Sequence, residues 1–118
     1  MLKVLLADDD TSMVALLKTL LGMEGYQVAT LLDKTGDILE NIRLAKPDIL
    51  LIDIFLGDRN GLDIVRQIRQ LPDLNGIRII MASGVDKTEE CLAAGADTFL
   101  LKPYMPDELF EKLRSISV

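Results

Sequence analysis

The chain has 118 residues, 49% of them hydrophobic and 27% charged, with 13 basic against 19 acidic residues for a formal charge of −6. That size and apolar content suit one compact domain over residues 1–118 with a core of its own, and they exclude a disordered chain or a coiled-coil rod. The acidic balance opposes direct binding to nucleic acid or to an anionic membrane, no apolar run approaches the ~20 residues of a membrane span, and the N-terminus shows no signal peptide, so a cytoplasmic chain is expected.

In chain order, a strand is predicted over residues 3–7 and a helix over 11–23, where Met13, Leu16, Leu17, Leu20 and Leu21 recur at helical spacing and read as one buried face. A short strand follows near 26–31, then a helix over about 36–45 with Ile38, Leu39 and Ile42 inward. Residues 48–53 form a continuous apolar run bounded by acids, as a central parallel strand covered on both faces requires. The loop Gly57-Asp58-Arg59-Asn60-Gly61 leads into a helix over about 62–71 that buries Ile64, Val65, Ile68 and Leu71. A strand at 77–82, a short helix at about 87–94, a strand at 98–101 and a last helix opened by Pro106-Asp107-Glu108 complete the chain. Cys91 is the lone cysteine and is read as packed in the core, and the chain has no histidine, so neither a disulfide nor a histidine base is available.

Five strands alternating with five helices imply an α/β fold, a doubly wound parallel sheet with helices on both faces, because each crossover must be right-handed and must cover the sheet. In such folds ligands sit beyond the carboxyl ends of the strands, where strand order reverses. Polar residues should therefore gather just after the strands. They do, at Asp8-Asp9, at Asp53, at Ser83-Gly84 and at Lys102-Pro103.

Three carboxylates from two neighbouring strands make a strongly negative pocket that suits a hard divalent cation. Mg²⁺, which keeps several waters beside one or two carboxylates, fits best. Lys102, the Ser83 hydroxyl and amides near Gly84 could hold phosphoryl oxygens while one carboxylate acts as nucleophile. Asp53 is the best candidate, since it stands alone at the end of the most buried strand.

These residues resemble the receiver domain of two-component response regulators over nearly the whole chain. The resemblance rests on Asp8-Asp9, on Asp53 with Gly61 eight positions later, on Ser83 thirty positions after Asp53, and on Lys102-Pro103. It implies a flavodoxin-like (βα)5 fold. It further implies that Asp53 accepts phosphate from a sensor histidine kinase or phosphotransfer protein, and that Asp9, Asp53 and the main-chain carbonyl of Phe55 bind Mg²⁺ with support from Asp8. Ser83 and Lys102 would contact the phosphoryl group, and Ser83 with the rotamer of Phe99 would carry the switch to a downstream protein or effector domain. By the same analogy Phe55 and Val85 flank the path of the water that hydrolyses the acyl phosphate. Such a domain promotes its own phosphoryl transfer and is not an enzyme acting on other substrates.

Two positions depart from the family pattern. Leu56-Gly57 stands where Met-Pro is common and should loosen the loop, and the segment from Ser83 to Gly95 is short, which abbreviates the fourth helix. Two other readings compete. Asp8-Asp9-Asp10-Thr11-Ser12 resembles the signature of a haloacid-dehalogenase-type phosphohydrolase using Asp8 and Asp10, but that reading leaves Asp53 unexplained and finds no acidic motif after the last strand. A pseudo-receiver, a binding module that never takes phosphate, is the other; the intact acids, Ser83 and Lys102 speak against it. Asp10 itself reads better as a helix cap.

Overall fold

The computed structural model describes residues 1–31 and 36–117. Strands and helices alternate as β1 (Lys3–Ala7), α1 (Thr11–Met23), β2 (Gln27–Thr30), α2 (Ile38–Ala45), β3 (Ile49–Asp53), β4 (Phe55–Leu56), β5 (Arg59–Asn60), α3 (Gly61–Gln70), β6 (Arg78–Ser83), α4 (Thr88–Ala94), β7 (Thr98–Leu101) and α5 (Pro106–Ile116). The five longer strands form one sheet in the order β2-β1-β3-β6-β7, every neighbour parallel. The chain steps from β1 outward to β2 and then back across β1 to β3. Strand order therefore reverses between β1 and β3, and the crevice for a ligand opens at their carboxyl ends.

Alternation along the strands divides the core in two. Leu5, Ala7, Leu50, Ile52, Ile79, Met81 and Phe99 face a layer with Ile42, Val65, Ile68 and Cys91 from α2, α3 and α4. Val4, Leu6, Ile49, Leu51, Ile80, Ala82 and Leu100 face the other layer, with Leu17 and Leu21 of α1 and Leu109 and Leu113 of α5. Successive side chains point to opposite faces. By that parity Asp8, Asp53 and Lys102 emerge on the α1/α5 side of the sheet, and Ser83 emerges beside Phe99 on the other.

The helices start where short polar side chains take up free amides. Asp10 accepts from Met13 N at 3.0 Å and opens α1, as its reading as a cap requires. Asp37 does the same for α2 through Glu40 N at 3.1 Å, and Asn60 for α3 through Leu62 N at 2.9 Å. Each such cap is worth about 1 kcal/mol.

The structure corrects two expectations. In α1 only Leu17 and Leu21 are fully buried, and Leu16 is 51% exposed. At about 100° per residue, Leu16 lies a quarter-turn or more from the Leu17–Leu21 row and outside the packed α1/α5 layer. The segment after Asp53 is not a loose loop either. Phe55 and Leu56 pair antiparallel with Asn60 and Arg59, and Gly57 adopts φ 63°, the left-handed value a two-residue hairpin turn asks of its first central residue. Arg59 ties this hairpin to the start of α2 by donating to Gly36 O at 2.6 Å.

Candidate functional site

At the reversal of strand order, the ammonium of Lys102 lies between two carboxylates. Its Nζ donates to Asp53 Oδ2 at 2.8 Å and to Asp8 Oδ2 at 2.9 Å. Both aspartate side chains are only 11% exposed, so the trio is largely withdrawn from water. The Lys102–Pro103 peptide is cis, and Lys102 N donates to Ser83 O at 2.8 Å, extending the β6–β7 ladder by one rung.

The two acids experience this surrounding differently. Burial pushes the Asp53 carboxyl up to about 7, with the Asp8 carboxylate adding to the rise and the Lys102 ammonium opposing it. Burial also raises Asp8, but the Asp10 amide and the Lys102 and Asp53 side chains outweigh it and hold Asp8 below the usual carboxylate range. The Asp10 amide contact is a 2.9 Å bond to Asp8 Oδ1. Burial lowers Lys102, while its two carboxylate partners more than compensate and raise it. One cation between two acids leaves a proton's worth of negative charge to be balanced. With no metal bound, Asp53 is the acid whose hold on that proton is raised.

Asp9 reaches the hairpin. Its Oδ2 accepts a hydrogen bond from the Gly57 amide at the tip of the hairpin. Among the described residues no three carboxylates are gathered into a metal cage. The donor set nevertheless fits Mg²⁺, which takes one or two carboxylates and keeps its waters. Asp8, Asp9 and Asp53 with Lys102 carry a formal −2, the charge a divalent ion would balance.

The remaining predicted residues flank the trio. Ser83, at the end of β6, is 3% exposed, and its Oγ accepts from Val85 N at 3.2 Å. Phe99 is 8% exposed and packed in the core, so its ring stands inward in this structure. Phe55 and Val85 are 67% and 60% exposed. Asp10, needed by the phosphohydrolase reading, is spent on capping α1.

Two participants were not singled out from the sequence. The Gly57 amide exists only because the chain departs from the pattern that places proline there, since proline has no N–H. Tyr104 lies 7% exposed in the α1/α5 layer, and a single aromatic after Lys102-Pro103 gives no sign of what its hydroxyl does.

The response regulator receiver domain model matches residues 4–114. The chain belongs to the response regulator receiver domain family. It is 33% identical over 116 residues to the DNA-binding response regulator MtrA of Mycolicibacterium paratuberculosis, covering 96% of this chain and 50% of that protein. It is 32% identical over 118 residues to the chemotaxis protein CheY of Thermotoga maritima, covering 98% of this chain and 97% of that one. Among solved structures, chemotaxis protein CheY4 of Vibrio cholerae superposes with a TM-score of 0.86 at 28% identity, covering 99% of both chains. This receiver domain therefore spans about half the length of MtrA and nearly all of CheY. No helix among its described residues is long and apolar enough to cross a membrane.

Proposed function

We propose that this receiver domain takes a phosphoryl group on Asp53 from a sensor histidine kinase or phosphotransfer protein, in a Mg²⁺-dependent step, and presents the changed surface to a downstream protein or effector domain. The observation that carries the reading is the Lys102 ammonium held between Asp8 and Asp53 where strand order reverses. A basic group so placed is pre-positioned to meet phosphoryl oxygens, with no search through rotamers at the moment of transfer.

Asp53 is the nucleophile. Its carboxylate oxygen forms the P–O bond while the donor's P–N bond breaks, and the donor imidazole leaves. Lys102 shifts from the carboxylates to the incoming oxygens, and the buried Ser83 hydroxyl turns from the Val85 amide toward another of them. Asp8, Asp9 and the Phe55 carbonyl are the groups that would hold Mg²⁺ beside Asp53. When bound, Mg²⁺ neutralises the charge shared by the acids and the transferred group. The step is one of positioning and charge balance, and it acts on the domain itself. A cytoplasmic setting goes with a kinase partner, and the acidic charge of −6 leaves nucleic-acid contact to other parts of any longer protein.

Incubation with Mg²⁺ and a small phosphodonor, followed by intact mass and peptide mapping, tests the reading. One phosphoryl group at Asp53, absent in Asp53→Asn, is expected. Phosphate on Asp8 would instead favour the phosphohydrolase, and no uptake under any donor would make the chain a binding module.

A further inference from the structure

Among the described residues, the Tyr104 hydroxyl is the buried side-chain polar atom that finds no hydrogen-bond partner. Phenylalanine would fill the same place in the α1/α5 layer, and an unpaired hydroxyl there disfavours the empty fold. Its position explains what it could serve. Tyr104 follows Lys102 by two residues, and strand parity sends Asp8, Asp53 and Lys102 into the layer that holds Tyr104. Burial pushes the phenol up to about 12, and the charges of Lys102, Asp8 and Asp53 are all felt there. The group is thus a proton donor throughout the working range.

On the phosphoacceptor reading above, transfer draws Lys102 away from Asp8 toward phosphoryl oxygens. Asp8 then keeps the bond from the Asp10 amide and has lost its ammonium partner. A carboxylate has lone pairs enough for a metal-bound water and a second donor together. Among the described residues, the buried side-chain donor without a partner is Tyr104, in this same layer. We propose that Tyr104 is a positioning residue of the phosphorylation site, its hydroxyl unpaired while Lys102 clasps Asp8 and donating to the Asp8 carboxylate once Lys102 has moved to the phosphoryl group.

The test compares wild type with Tyr104→Phe in the full chain, empty and loaded with Mg²⁺ and beryllofluoride. Removing an unpaired buried hydroxyl should raise the melting temperature of the empty domain by roughly 4 °C. The same change should weaken apparent beryllofluoride affinity about tenfold, the size of one hydrogen bond to a charged group. A purely structural role would move both states together, so the opposite signs are the signature. A spectroscopic arm uses Tyr26→Phe, which leaves Tyr104 as the lone tyrosine in a chain without tryptophan; its absorption should shift to the red when beryllofluoride binds. Equal beryllofluoride affinity in wild type and Tyr104→Phe, no red shift, or a lower melting temperature for empty Tyr104→Phe would each overturn the proposal while leaving the phosphoacceptor reading intact. Failure of wild type to respond to Mg²⁺ and beryllofluoride at all would overturn both.

Discussion

Gly61 is pressed against the main chain of Asp53: a methyl group added to it would run into the Asp53 carbonyl oxygen and lie 3.1 Å from Ile54 Cα. The Gly61 amide in turn donates to Ile54 O at 2.6 Å. The spacing of these two residues in the sequence is thus a packing requirement, because α3 can start beside the candidate phosphoacceptor only if its first residue has no side chain. Gly61→Ala should lower stability by about 2 kcal/mol and slow phosphodonor uptake at least tenfold by displacing Asp53. Gly76→Ala, where a methyl group meets open space, is the control and should do neither. Urea unfolding and the rate of mass gain measure the two effects.

The pH dependence of the metal-free domain follows from Asp53. Its carboxyl titrates at about 7 in the folded state and near 3.9 in an unfolded chain. Between those values the folded state keeps a proton that the unfolded state has released, so stability falls as pH rises from about 4 to about 7. Asp8, held low, works in the other direction: its contribution is present above the unfolded value and is lost as pH falls through the folded one. In EDTA the urea midpoint should decline across the upper window, and Asp53→Asn should flatten that decline. Mg²⁺ should restore stability most at the alkaline end, where the carboxylates are ionised.

The lifetime of the phosphoform should be long. Phe55 and Val85 stand exposed near the site and carry no group that could orient an attacking water. Phe55→Asn with Val85→Glu should speed loss of the acyl phosphate about tenfold, a small part of what a well-placed base supplies. A decay rate equal to that of wild type would count against the idea.

The segment at 85–94 should be the least protected part of the empty domain. The helix α4 has only 7 residues and no cap from its own N-cap residue, and a helix of that length is marginal without packing. Cys91 and Ala94 hold it to the core while Leu92 is 47% exposed. Amide exchange there should be fast without ligand and slower with Mg²⁺ and beryllofluoride. Because Phe99 is buried already, the change should register in α4 and around Ser83 more than at the ring. Strong, equal protection in both states would move the output surface to α1.

The strands and most helix bounds were legible because their patterns are long. An apolar run such as Ile49 to Ile52 between acids has few other readings, and Asp8, Asp53, Ser83 and Lys102 declare themselves by standing at strand ends. The two-residue strands of the β4–β5 hairpin were not legible, since two residues carry no period and only Gly57 marked a turn. Leu16 misled because helical spacing places an apolar stripe on a helix but does not say how much of that stripe the core covers. The Asp9–Gly57 bond joins residues 48 apart, which only the closed sheet brings together.

The opposite parity of Asp53 and Ser83 makes the sheet a partition. Carboxylates and ammonium stand on the side roofed by α1 and α5, and the hydroxyl and the Phe99 ring stand on the side roofed by α2, α3 and α4. Only the strand ends are common to both compartments. On the proposed reading, substitutions in α4 would remodel one outer wall, and with it the choice of listener, without reaching the acids, while changes in α1 or α5 would remodel the wall beside the charge cluster. On that reading, a domain so divided would be able to change whom it addresses and keep how it is addressed.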